Sequence, residues 1–384
     1  MPLSATALEP VLRLAIVPGI GPARLSALVS RFGSAERVLG ASAAELGALQ
    51  GFGPKLVAGI TAASQPAGQA AARVAMQTLR DVGAVAITPD DLAYPDAFRA
   101  LPDAPYLLFA AGNLDLLGTP GIGVVGTREP TDYGRRAAAS LAGDVARAGY
   151  TIVSGMAKGI DAAAHAAALD AGGTTIGVLG HGIDRIYPPE NRDLFRRVRQ
   201  GGLLLSEMAP GEDPNAGNFP RRNRLIAALS LGVLVVEMGS KSGAQHTVTY
   251  ALEQGREVFA VPGQIGSPMS EGTNQLLKDG ARLVTSANDI LEELRGVGHA
   301  AVSPVPIAAT ASTSPSVDAP AAAPPSDLAP DEAKVFGALT ADARHVDDLA
   351  AAADLAPSNV LAALLGLELR GLVESLPGKQ FRRK

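Results

Sequence analysis

The stretch over residues 121–161 constrains the fold of this chain more than any other. It contains two glycine-rich turns, at 126–128 and at 154–159. Each turn follows a short apolar run and precedes an alanine-rich stretch, so a pattern typical of strand, turn and helix occurs twice. Such a βαβα unit predicts a parallel sheet with both turns at the carboxyl ends of their strands, where open α/β sheets bind ligands.

The residue types in these turns predict an anion site. Glycines let backbone N–H groups approach a phosphate, and the N-terminus of the following helix adds a partial positive charge. Each turn also carries a cation, Arg128 in the first and Lys158 in the second. The sequence therefore predicts one crevice with a double anion site. The residues assigned to it are Gly126, Arg128, Ser154, Gly155, Lys158 and Gly159.

The same stretch matches the dinucleotide fingerprint G-x-G-x-x-G through Gly121, Gly123 and Gly126. A true fingerprint opens a helix after a strand. Here Gly121 and Gly123 begin the strand itself, and no acidic residue closes the next strand. We interpret the match as accidental, and we expect no cofactor.

The composition limits the class of protein. With 384 residues, the chain is long enough for two or three domains. It has no cysteine, which excludes disulfides and thiolate ligands and fits a cytoplasmic location. No signal peptide or membrane-spanning apolar run is recognisable, so no membrane contact is expected. Because the net charge is −5, any binding of nucleic acid must depend on local clusters of Lys and Arg.

Residues 1–65 are predicted to form a helical domain with an internal repeat. A turn of the form G-φ-G-P occurs at 19–22 and again at 51–54, each time between helical stretches. This resembles a tandem helix-hairpin-helix module, whose turns present backbone N–H groups to a DNA phosphate without reading sequence. A purely structural hairpin is the alternative. The candidate duplex contacts are Gly19, Gly21, Gly51, Gly53 and Lys55.

Residues 66–296 are predicted to form an α/β core, a Rossmann-like, mostly parallel sheet. Apolar runs alternate with helical stretches, and strands at 82–88 and 106–109 are expected to extend the same sheet. Residues 297–329 are rich in Ala, Pro, Ser and Thr, which predicts a mobile, disordered linker.

Residues 330–384 are predicted to form a winged helix, with three helices followed by a β-hairpin. The candidate recognition helix, at 357–371, is nearly free of cations and of amides that read base edges. Its wing tip is basic, so both a protein-docking role and a weak phosphate contact are open. The basic residues of the tip are Lys379, Arg382, Arg383 and Lys384.

The densest cation cluster of the core lies at 218–224. Three arginines beside an aromatic ring and an amide suit phosphates and a stacked base, and cations at a helix N-terminus oppose the helix dipole. We therefore expect a nucleic-acid partner. The candidate contacts here are Phe219, Arg221, Arg222, Asn223 and Arg224.

Two further segments of the core carry cations. Arginines at 185–199 alternate with Tyr187 and Phe195, and a solvated helix face is as good an explanation as DNA contact. Lys241 and Ser242 lie in a turn after a strand that is neither a P-loop nor a nucleophile elbow, and we assign both to the DNA site. No nucleophile–base pair and no metal-ligand cluster is recognisable, so neither catalysis nor a metal is expected.

Taken together, segments in the order VVGTREPTDYG, IVSGMAKGID, FPRRNR and VVEMGSKSG resemble the DNA processing protein A family (DprA, also called Smf). The resemblance covers residues 94–294. It implies a Rossmann-like, homodimeric, non-catalytic protein that binds and protects incoming single-stranded DNA during natural transformation and loads the RecA recombinase. Duplex DNA would bind more weakly. The dimer or RecA face would include Asn274, Lys278 and Leu283.

The resemblance has one local departure, at Gln245 and His246, where the family more often has an apolar and then a small polar residue. A second family is the alternative. Nucleotide-processing Rossmann enzymes of the phosphoribohydrolase type carry P-G-G-x-G-T followed by paired glutamates. The corresponding stretch here, EMGSKSGAQHT, lacks that glutamate pair, so the enzyme is the less favoured hypothesis.

Overall fold

The computed structural model describes residues 5–240, 242–295, 329–339, 344–353, 355–370, 372–376 and 380–383. The chain divides into two units, Met1–Pro306 and Ile307–Lys384. The predicted linker at 297–329 lies outside the described residues except for Ala329. Within the described ranges, no helix combines the length and apolar character needed to cross a membrane.

The first unit begins with helices that contain the predicted repeat. Gly19 and Gly51 have positive φ angles of 90° and 81°, and a proline opens the helix after each turn. The helices are α1 (Ala5–Ala15), α2 (Pro22–Phe32), α3 (Ala35–Gly40), α4 (Ala43–Gly47), α5 (Pro54–Ala63) and α6 (Pro66–Asp81).

The core of this unit is a nine-stranded sheet with helices on both faces. Its strands are β1 (Val85–Ile87), β2 (Leu108–Gly112), β3 (Gly121–Val125), β4 (Thr151–Ser154), β5 (Thr175–Leu179), β6 (Leu203–Ser206), β7 (Gly232–Val235), β8 (Glu257–Ala260) and β9 (Arg282–Leu283). Its helices are α7 (Asp96–Arg99), α8 (Asp132–Arg147), α9 (Ile160–Asp170), α10 (Arg192–Gly201), α11 (Asn218–Ala228), α12 (Ala244–Glu253), α13 (Glu271–Lys278) and α14 (Ala287–Arg295).

The strand order is β1-β2-β6-β5-β4-β3-β7-β8-β9. In this spatial order, the seven strands that run from β6 across the sheet to β9 are all parallel. Strands β1 and β2 extend the sheet beside β6 in antiparallel pairing. The predicted mostly parallel sheet is therefore confirmed. Successive strands run outward from β3 to β6, and the chain then returns to place β7 on the other side of β3. This reversal makes the carboxyl ends of β3 and β7 a topological switch point.

Alternation along the central strands explains why helices cover both faces of the sheet. In β7, Val233 and Val235 belong to one buried cluster, while Leu234 belongs to the cluster on the opposite face. All four residues of β7 and all five of β3 are buried, as expected for parallel strands between two helical layers. Gly121 and Gly123 lie within β3, so they do not open a helix, as interpreted from the sequence.

The second unit has the elements of a winged helix. Three helices pack around one apolar cluster, and a three-stranded antiparallel sheet has the order β10-β12-β11. Its elements are α15 (Pro330–Ala338), β10 (Arg344–His345), α16 (Val346–Ala353), α17 (Pro357–Leu369), β11 (Val373–Leu376) and β12 (Gln380–Arg383). The guanidinium carbon of Arg383 lies 3.8 Å from the Phe336 ring centroid, so this tip arginine packs within its own unit. Lys379 and Lys384 lie outside the described residues.

Candidate nucleic-acid interface

A cleft of about 820 Å³ opens at the carboxyl ends of β3 and β7. Its walls come from the turns after these two strands, the first turns of α11 and α12, and the segment before α13. A second cavity of about 60 Å³ lies beside it, between the turns after β3, β4 and β5. Arg128, Ala157, Tyr187 and Phe219 line both cavities. The two spaces therefore form one continuous groove across the switch point.

Arg128 and Lys158 lie on this groove, as the sequence predicted. Both side chains are exposed. The guanidinium carbon of Arg128 lies 5.6 Å from the Phe219 ring centroid, within cation–π range. The ammonium of Lys158 donates to Glu190 over 2.5 Å, and this hydrogen bond lowers the pKa of the Glu190 carboxyl. In this structure Lys158 therefore has a carboxylate partner at the position expected for a phosphate.

The two glycine turns are pressed against each other. Gly159 has a φ of 80°, and a Cβ at this position would collide with the Thr127 carbonyl oxygen. A Cβ at Gly126 would lie 2.6 Å from the Ile160 side chain. The glycines therefore bring the turns after β3 and β4 together, which holds Arg128 and Lys158 on one groove.

The structure corrects the assignment of Ser154 and Gly155 to the anion site, because both residues are buried and already hydrogen-bonded. The Ser154 hydroxyl donates to the Val124 carbonyl over 2.6 Å and so ties β4 to β3. The Gly155 N–H donates to the Asp161 carboxylate over 3.1 Å. These two residues shape the turn from inside and do not offer free donors to a phosphate.

Arg222 also corrects the assignment. Its guanidinium group is buried and donates to the carbonyl oxygens of Gly155, over 2.7 Å, and Val178. Burial lowers the pKa of Arg222 to about 10, and the nearby Asp161 carboxylate opposes that shift. Arg222 thus links the carboxyl ends of β4 and β5 at the floor of the larger cavity, with most of its surface buried.

Arg224 is a third correction. It is buried and forms ion pairs with Glu207, over 2.6 Å, and with Asp103, over 2.7 Å. Burial raises the pKa of Glu207, and Arg224 opposes that rise. A guanidinium group with two carboxylate partners has little capacity left for DNA.

Asn223 lies on the groove side of α11, whereas Arg221 lines neither cavity. Arg221 is exposed, and its Nη2 atom lies 3.1 Å from where a Cβ on Gly21 would stand, so it borders the first helical turn. The Asn223 side chain lines the larger cavity and accepts from the Arg222 Nε–H over 3.1 Å. Of the three arginines in this cluster, only Arg221 is exposed, and it borders the helical repeat rather than the groove.

The turn after β7 is only partly described. Lys241 lies outside the described residues, and Ser242 accepts a hydrogen bond from the Ala244 N–H over 3.3 Å at the start of α12. Sequence reasoning missed Glu237 on this side. Its buried carboxylate accepts from the Thr131 N–H, over 2.8 Å, and from the Thr131 hydroxyl, over 2.5 Å. Glu237 therefore anchors the loop that carries Arg128.

His165 is also part of the support below the groove. Its Nδ1 lies 2.6 Å from the Thr175 hydroxyl, which itself donates to the Ile152 carbonyl. Its Nε2 accepts from the Met156 N–H over 3.4 Å. This pattern requires a neutral ring with the proton on Nδ1. Burial lowers the pKa of His165 to about 3, so the ring stays neutral.

The remaining candidates lie away from the groove or on its border. Gly21 and Gly53 are the N-caps of α2 and α5, and Lys55 is exposed beside the second turn. Lys278 and Leu283 are exposed. The Asn274 amide instead pairs with both backbone groups of Gly263, each over 3.1 Å, so this residue braces a loop.

The carboxylates and histidines near the groove determine whether it could hold a metal ion. Over the described ranges, no cluster of three His, Asp or Glu side chains is placed to hold a metal ion. The buried Asp161 accepts backbone N–H groups from Gly155 and Ala157; burial raises its pKa, and Arg222 opposes that rise. The arrangement is suited to binding an anionic, partly aromatic ligand.

Comparisons with known proteins agree with the domain order of the chain. The family model for DNA recombination-mediator protein A matches residues 85–295, the DprA winged helix model matches residues 319–379, and a SAM-like helix-hairpin-helix tandem matches residues 11–65. The Protein Smf of Synechocystis is 37% identical over 96% of both chains. The X-ray structure of DNA processing protein A from Streptococcus pneumoniae has a TM-score of 0.64 and 34% identity, covering 76% of this chain and 99% of that one.

A structure of DNA processing protein A from Helicobacter pylori, described by its unique single-stranded DNA binding mode, has a TM-score of 0.51 and 34% identity. It covers 56% of this chain and 97% of that one. These matches extend over the helical repeat, the core and the winged helix, in the order expected from the sequence. The chain therefore belongs to the DNA processing protein A family, DprA/Smf.

Proposed function

We propose that this protein binds single-stranded DNA along the groove at the carboxyl ends of β3, β4 and β7, without catalysis. The observation that carries the proposal is the placement of Arg128 and Lys158 on one groove, next to the ring of Phe219. Cations fix the phosphates, and aromatic rings stack only on unpaired bases, so the combination favours single strands. The Helicobacter relative described as binding single-stranded DNA supports the same assignment.

We further propose the biological role that the family resemblance implies. The protein would protect incoming single strands during natural transformation and load RecA onto them in the cytoplasm, working as a homodimer. Lys278 and Leu283 are exposed near the last strand of the sheet, so they are available to a protein partner. The helix-hairpin-helix turns would add weaker affinity for duplex DNA through phosphates alone.

The nucleotide-processing enzyme is the less favoured alternative. Glu237 follows β7, in the segment that corresponds to the glutamate-bearing motif of those enzymes. Both of its carboxylate oxygens accept hydrogen bonds from Thr131, so it is occupied as a structural anchor. Hydrolysis of nucleoside monophosphates by the purified protein would restore the enzyme hypothesis.

The test is a salt titration of binding to single-stranded and duplex DNA by the full chain. Arg128→Ala with Lys158→Ala should weaken single-strand binding and reduce the salt slope by about one unit for each lost phosphate contact. The matched control is Arg80→Ala with Arg147→Ala, which removes the same charge from exposed positions outside the groove. Equal slopes for the two double variants would overturn the proposed site.

A further inference from the structure

Tyr187 is an exposed aromatic residue on the wall that the two cavities share. It is 40% exposed, and it lies in the long segment between β5 and α10. Around the smaller cavity it stands with Arg128 and Lys158. Tyr187 therefore borders the passage from these two cations to the larger cleft.

The ring is fixed from behind by other rings. His181 meets it edge-on at 6.4 Å between centroids, and His181 in turn stacks on Phe195 at 6.1 Å. Both supporting rings are buried. The Asn191 amide, four residues on, donates to the Met156 and Ala157 carbonyls over 2.9 and 3.1 Å. The segment is thus tied to the turn after β4, which preorganises the ring for binding.

Phe219 is less open to a base than Tyr187. It is only partly exposed, the Arg128 guanidinium lies over its ring, and Tyr187 packs against it at 5.7 Å between centroids with a tilt of 34°. Arg128 and Tyr187 therefore leave less of the Phe219 ring open to a base. Tyr187 already has a large exposed surface.

The volumes of the two cavities indicate which part of a nucleotide each cavity can hold. About 60 Å³ is the liquid volume of roughly two water molecules, which suits a phosphate group better than a base. The adjoining cleft of about 820 Å³ has room for bases. With the phosphate between Arg128 and Lys158, the attached base extends toward the cleft across the Tyr187 ring.

We propose that Tyr187 is a base-stacking residue of the single-strand site, in addition to Phe219. This inference rests on the proposed function, since it assigns a role within the same groove. Stacking on Tyr187 makes the groove selective for unpaired bases. Its contribution to the binding free energy does not depend on the charge of the phosphates.

Fluorescence tests the contact directly, because the chain contains no tryptophan. Tyr187→Trp creates a single reporter whose emission should be quenched when single-stranded DNA binds and a base stacks on the indole. The matched control is Tyr150→Trp, a half-buried position just before β4, at the amino end of the strand and so away from the groove. Quenching in the Tyr187→Trp variant alone is expected. DNA binding that leaves the indole emission of this variant unchanged would overturn the assignment.

Binding measurements separate stacking from charge. Tyr187→Ala should weaken binding to an oligothymidine strand by about 5- to 100-fold, with an unchanged salt slope. It should leave binding to an abasic strand of the same length unaffected, and Tyr187→Phe should restore the affinity. Equal affinities of wild type and Tyr187→Ala for oligothymidine would overturn the stacking role alone. Failure of the wild type to bind any single strand would overturn the proposed function itself.

Discussion

The guanidinium group of Arg222 donates a hydrogen bond to the carbonyl oxygen of Gly155 over 2.7 Å. A second hydrogen bond from the same nitrogen reaches Val178 at the end of β5. The arginine therefore joins two strand ends at the floor of the groove, and the Asp161 carboxylate stabilises its charge there. The adjacent Arg221 is exposed and lies beside the Gly21 turn of the helical repeat.

This difference predicts opposite behaviour for two neighbouring arginines. Arg222→Ala should lower the free energy of unfolding by about 3–5 kcal/mol, because it takes a donor from two buried carbonyl oxygens and removes the nearby cation that favours the charged form of the buried Asp161. Arg221→Ala should change stability by no more than about 0.5 kcal/mol, since its side chain is exposed. Urea titrations of the two variants provide the measurement. Similar stabilities would show that Arg222 is not the internal support described here.

The ion pair between Glu190 and Lys158 predicts that removing the Glu190 charge strengthens binding of single-stranded DNA. Its carboxylate pairs with Lys158 on the groove, so it competes with a phosphate for the ammonium. Glu190→Gln should tighten single-strand binding by about 2- to 5-fold at low salt, in line with the small strength of exposed ion pairs. Asp193→Asn is the control, because it removes the same charge from a nearby exposed carboxylate that pairs with Arg196 instead. Equal gains in both variants would indicate a general charge effect.

The close packing of Gly159 against Thr127 predicts that contact between the turns after β3 and β4 is required for binding single-stranded DNA. An Ala at this position combines the positive φ with a collision against the Thr127 carbonyl. Gly172 has a similar φ of 73° but open space around it, so Gly172→Ala isolates the backbone cost of about 1–2 kcal/mol. Gly159→Ala should cost more than this and also weaken single-strand binding by displacing Arg128. Indistinguishable stability and binding in the two variants would contradict the turn–turn contact.

The sequence predicted the sheet and the positions of Arg128 and Lys158, because both depend on local strand–turn–helix patterns. It could not distinguish Arg221 from Arg222, since the choice depends on which face of α11 packs against the strands. Nor could it pair Lys158 with Glu190, 32 residues away, because that contact depends on the path of an irregular segment. Tyr187 was noticed only as an aromatic among arginines, for the same reason.

The buried, neutral ring of His165 predicts that the core loses stability as the pH falls. The folded ring has a pKa of about 3, lowered by burial, whereas in the unfolded chain it titrates near 6.5. Between these values only the unfolded state binds the proton, so stability is complete above pH 6.5 and is lost as the pH falls, by up to about 1.4 kcal/mol per unit. From pH 7.5 to 5.0 the wild type should therefore lose about 2 kcal/mol more than His165→Gln, measured by urea unfolding. Other titrating groups are common to both proteins and cancel in this difference.

Because protonation would also break the hydrogen bond from the Met156 N–H, the turn that carries Lys158 is the part of the groove expected to loosen first. Parallel pH profiles for the two proteins would mean that His165 is not held neutral in the folded state.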